Sequence, residues 1–182
     1  VEHGLRDDMM RFILILLGLL ASATPAAADE HFYAYDPVSS SARLLTRGIT
    51  LQVERGLFGR TRVMRLYATA GAGSAGLERE SLPDTRLRAA LPAGAEESNA
   101  YRVEAEGTGG ALARVMCPGA GQVWLVFGRV RPLRDITVQA VGQGQDGQLR
   151  HCQTLQYRYR GEWSRPEDHS LREGGASPSP LG

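Results

Sequence analysis

The sequence contains no lysine; all 21 of its basic residues are arginine. Every cation is therefore a planar guanidinium, suited to two-pronged contacts with carboxylate or phosphate, and the compact ammonium is missing. Arginine-biased coding in a GC-rich genome explains this without any selected anion-binding surface. An excess of one charge is also lacking, because the formal net charge is +1. Removing residues 1–28 would take away Arg6, Arg11, Glu2, Asp7 and Asp8, leaving 19 basic and 17 acidic side chains. That balance gives no general drive toward nucleic acid or an anionic membrane. Cysteine is scarce: Cys117 and Cys152 stand alone. They do not form the Cys-x-x-Cys of a redox pair at a helix start.

Long apolar runs are equally rare. The run Phe12–Ala23 has a dozen residues, short of the roughly 20 that a spanning helix requires. It follows Met9-Met10-Arg11, is broken by Thr24-Pro25 and leads to Ala26-Ala27-Ala28. A positive start, an apolar stretch and a small-x-small site in that order predict a secretory signal peptide over residues 9–28, cleaved after Ala28. No cysteine follows the run and no twin arginine precedes it, so the expected route is ordinary secretion without a lipid anchor. Residues 1–8 read as an over-extended gene start. The expected location is the periplasm or the exterior, with no stable membrane span after cleavage.

Within residues 29–164, short apolar stretches alternate with Gly, Pro, Ser and Asp turns. This predicts a single all-β, mainly antiparallel domain, built as a two-layer sandwich or a small barrel. Expected strands are 31–35, 49–54, 61–69, 101–105, 111–117, 122–130, 135–141 and 148–159. In the second, Ile49, Leu51 and Val53 alternate with Thr50, Gln52 and Glu54. One short helix at most is expected, near 83–91, before Pro92. Residues 165–182, rich in Pro, Ser, Gly and charge, read as a disordered tail. In an exported chain, Cys117 and Cys152 predict one disulfide that ties the last strand to the middle of the domain.

Motifs that name a reaction are missing. Gly71-Ala-Gly-Ser-Ala-Gly76 has the glycine spacing of a dinucleotide fingerprint, but Pro83 interrupts the helix that should open on its last glycine, and no β-α-β alternation surrounds it. It reads as a flexible loop, and no cofactor is expected. Ser74 lacks the first glycine of a nucleophile elbow. His151 beside Cys152 reads as packed or surface structure. Carboxylate pairs such as Glu78/Glu80, Glu96/Glu97 and Glu104/Glu106 read as exposed strand faces; Tyr157, Tyr159 and Trp163, alternating with Arg158 and Arg160, read as packing.

Two functional signals remain. The stretch from Leu57 to Arg65 echoes that from Val126 to Arg134, with Phe, Gly and three arginines aligned. If the two lie side by side, Arg60, Arg62, Arg129 and Arg131 form an anion-binding face for an envelope protein, an anionic glycan or a lipid headgroup. Cleavage after Ala28 would also expose Asp29-Glu30-His31, whose free amine, two amides and imidazole suit square-planar Cu(II) or Ni(II). The leading expectation is an exported, non-catalytic accessory of the periplasm or cell envelope. A small metal-binding protein is the first alternative. An extracellular hydrolase whose site is assembled from distant residues is the second.

Overall fold

The computed structural model describes residues 29–56, 61–70, 73–81 and 84–164. The expected gene-start segment, signal peptide and tail lie outside these residues. Eight strands form a closed antiparallel barrel in which each pairs with the next and the last returns to the first. They are β1 (Asp29–Pro37), β2 (Ile49–Arg55), β3 (Thr61–Ala68), β4 (Ser74–Arg79), β5 (Asn99–Val103), β6 (Gln122–Phe127), β7 (Ile136–Gln143) and β8 (Leu149–Ser164). The barrel is the arrangement formed, and not the sandwich. Its closure depends on the length of β8: Leu149 to Tyr157 pair with β7, while Tyr157 to Ser164 pair with β1. One long strand serving two neighbours leaves no free sheet edge.

The alternation seen in the sequence sorts side chains by face. Tyr33, Tyr35, Leu51, Val53, Leu77, Val103, Leu125, Phe127, Val138 and Leu155 belong to one buried core inside the barrel. Thr50, Gln52 and Glu54 alternate with the core residues of β2, as Glu78 does in β4 and Arg102 in β5. This is the reverse of a lipid-facing barrel, whose apolar side chains point outward. Among the described residues no helix is long and apolar enough to cross a membrane.

Among the described residues three short helices accompany the barrel, against the expectation of one at most: α1 (Ser40–Leu45), α2 (Asp84–Ala90) and α3 (Gly109–Met116). The expected strand over 111–117 is corrected to α3. The apolar run Ala111–Cys117, broken only by Arg114, fits a buried strand, but Gly109, Leu112 and Met116 recur at helical spacing and are the buried residues. Ala, Leu, Arg and Met also favour a helix. Ser39 caps α1, its hydroxyl accepting from the Ala42 amide at 3.2 Å. Ala42, Leu112 and Met116 all enter the barrel core. Both helices sit in connections at the same barrel end, so they close it. In contrast, α2 packs outside, where Leu87, Ala90 and Leu91 cover Trp124, Val126 and Val141. The glycine-rich stretch is corrected in part, since Ser74–Arg79 is strand β4.

Cys117 and Cys152 form the expected disulfide, with Cα atoms 5.3 Å apart. It joins the end of α3 to β8. Gly142 of β7 lies against it; a Cβ there would fall on Cys117 Sγ and 2.7 Å from Ala120 Cβ.

Candidate functional site: an arginine-lined cleft

The barrel end opposite α3 gathers the start of β3, the end of β4, the start of β5 and the β6–β7 loop. Between them lies a cleft of about 870 Å³ lined by Thr61, Arg79, Ser98, Tyr101, Arg129 and Arg131, with Glu96, Asn99, Gly128 and Val130 completing the wall. Its framework is locally determined. Asn99 at the start of β5 donates to the carbonyls of Phe127 and Gly128 at 3.4 and 3.2 Å, fixing the departure of the loop. Its Oδ1 accepts from Arg79 Nη2 at 3.2 Å, holding that guanidinium at the cleft wall. Val130 is 4% exposed and belongs to the barrel core. Burying it anchors the loop and leaves its flanking neighbours, Arg129 and Arg131, exposed at the cleft.

Three arginines and one glutamate give the cleft a positive balance. Arg79 is held only by a neutral amide oxygen among the described contacts. Arg129 and Arg131 make no hydrogen bond or ion pair with any described residue. Two other arginines nearby, Arg102 and Arg55, are paired with carboxylates. Arg102 pairs with Glu78 and lies 3.4 Å from Glu80. Arg55 reaches Glu162 at 2.6 Å and Tyr33 Oη at 2.7 Å, with its guanidinium 5.4 Å from the Tyr33 ring centre. Burial works against the Arg55 charge, but these hydrogen bonds outweigh it and hold its pKa above the usual value. Guanidinium groups that converge without carboxylate partners retain their donors for an external anion.

Of the expected arginine face, the structure brings Arg129 and Arg131 together and adds Arg79. Arg62 is exposed on the alternate face of β3 from Val63, opposite Glu54, and Arg60 lies outside the described residues. Arg79 was missed because β4 was read as a loop and a broken turn. Asn99 carried no motif, since its role depends on β5 lying beside β6.

Asp29, Glu30 and His31 run along β1, paired with Arg55, Glu54 and Val53 of β2. His31 is buried and its Nδ1 lies 2.8 Å from Glu162 Oε1. The His31 imidazole thus faces Glu162, and the backbone of Asp29 to His31 lies within β1. Among the described residues no group of three or more His, Cys, Asp or Glu side chains is arranged to hold a metal.

A separate network lies on the outer face of β7 and β8. Thr154 Oγ1 donates to Gln139 Oε1 at 2.7 Å and lies 3.1 Å from His151 Nε2; Gln139 Nε2 donates to Glu97 at 3.2 Å. His151 Nε2 also lies 3.0 Å from Gln139 Oε1, so the three side chains share one hydrogen-bond network. The contacts pin the segment before β5 onto the sheet. Comparison with protein-family models, curated proteins and solved structures finds no match to this chain.

Proposed function

We propose that this chain is an exported, non-catalytic barrel that binds a phosphate- or carboxylate-bearing ligand through the cleft, as a binding or structural accessory of the periplasm or cell envelope. The observation that carries this reading is the convergence of Arg79, Arg129 and Arg131 on one cleft without a carboxylate partner for any of them among the described contacts. Uncompensated cations held close together repel one another, and an anion relieves that repulsion while accepting charge-assisted hydrogen bonds. The polar donors Ser98, Thr61 and Tyr101 suit the oxygens of a phosphorylated or carboxylated glycan, or of a lipid headgroup. The proposed compartment rests on the leader-like order of residues 9–28, and the disulfide is compatible with an oxidising space.

Calorimetric titration with pyrophosphate, a small polyanionic probe, tests this reading. Arg129→Gln and Arg131→Gln should each weaken binding about ten-fold, and raising the salt concentration should weaken it further. Arg62→Gln, on the outer face, should leave it unchanged. Equal affinity in all three variants would refute the cleft as the site.

A further inference from the structure

Beyond the cleft, the β6–β7 loop carries a large apolar side chain held in water. Leu133 is 81% exposed, and its backbone has φ of 59°, a left-handed conformation costly for any residue with a Cβ. The loop is pinned on both sides of this residue. Val130 is buried in the barrel core, and Asp135 Oδ1 accepts from the Tyr159 amide at 2.9 Å. Asp135 is the sole acid in the sequence from Gly128 to Asp135, and it is committed to that contact. The tip between the pins presents Arg131, Pro132, Leu133 and Arg134, with Arg129 just before it. A leucine at a position where glycine fits without strain, flanked by unneutralised guanidinium groups, is the composition of a membrane-surface contact.

We propose that this loop docks the barrel onto an anionic lipid bilayer. Leu133 enters the headgroup boundary, while Arg129, Arg131 and Arg134 meet lipid phosphates. The inference rests on the reading of the cleft as an anion site and names the source of the anion. Charge complementarity favours a bilayer over a second copy of this chain, whose matching loop would bring the same positive charges together. Trp163, 50% exposed at the end of β8, lies at the same barrel end and adds an aromatic group suited to the interface. The near-neutral whole chain gives no long-range attraction, so the contact depends on this local patch and on anionic lipid.

Cosedimentation of protein purified from the periplasm tests the proposal, with vesicles of phosphatidylcholine alone or containing roughly one-third phosphatidylglycerol. Wild type should sediment with the anionic vesicles only. Leu133→Gly accommodates the left-handed backbone, so it should keep the wild-type melting temperature yet lower vesicle partitioning about ten-fold. The pair Arg131→Gln and Arg134→Gln should lower it at least as much. Absence of wild-type sedimentation with anionic vesicles, or partitioning indifferent to Leu133→Gly, overturns the docking. If pyrophosphate still binds when vesicles do not, the docking alone fails. If neither binds, the cleft reading fails with it.

Discussion

Removing the Cys117–Cys152 bridge should produce a large loss of stability, and its size follows from the sequence separation of 35 residues. Closing a loop of that length in the unfolded chain lowers its entropy enough to stabilise the fold by about 4 kcal/mol. The bridge joins the end of α3 to β8, and α3 supplies Leu112 and Met116 to the core. Native packing does not require the bond, since both helix residues remain buried by their neighbours. The double variant Cys117→Ala, Cys152→Ala should therefore fold into the same barrel with a melting temperature lower by roughly 10 °C. Urea unfolding monitored by far-ultraviolet circular dichroism provides the assay. The variant should show a lower midpoint together with a steeper denaturant dependence, because its unfolded chain is less compact. Reducing the wild type should reproduce the variant. A stability change under about 1 kcal/mol would show that the bridge does not restrict the unfolded ensemble as argued.

Three further outcomes follow from particular contacts. Tyr157 is fully buried, and burial pushes its phenol up to about 12 despite the hydrogen bond with Thr46 at 2.9 Å, while burial raises Tyr35 as well. The neutral phenol is favoured in the fold, so its stabilisation is complete below pH about 10 and is lost as pH rises toward 12, by about 3 kcal/mol for Tyr157. Melting temperatures should fall across that window, and Tyr157→Phe should flatten the decline; an unchanged profile in the variant would contradict the assignment. Gly142→Val should destabilise by about 2 kcal/mol, because its side chain meets the disulfide and Ala120; chemical denaturation with no change in midpoint would count against that packing. Mass spectrometry of exported protein should find Asp29 at the N-terminus and no free thiol. A retained leader or two free thiols would remove the basis for the proposed compartment.

The antiparallel β class was legible because one face is buried throughout: Ile49, Leu51 and Val53 alternate cleanly and all point inward. Barrel closure was not, since nothing local to β8 announces that its first half serves β7 and its second half β1. The 109–116 segment is a short, nearly continuous apolar run that fits a buried strand and a helix alike, and burial of Leu112 and Met116 decided for the helix. β4 was hidden because Gly76, following Gly71 and Gly73, reads as part of a glycine loop. For the site, Arg129 and Arg131 were visible as a basic stretch. Arg79 joins them only through the β4–β5–β6 arrangement, and Arg62 faces away because side chains alternate along β3. The disulfide was readable from count and context, whereas the exposed Leu133 required backbone angles to notice.

The most direct test of the central claim is the location of the bound anion. Backbone amide chemical shifts recorded during a pyrophosphate titration should move at residues 98–101 and 128–131 and around Arg79, saturating with one affinity, while those of β1 and β2 stay in place. Shifts centred on the outer face near Arg62, or spread evenly over the surface without saturation, would contradict the cleft as the binding site.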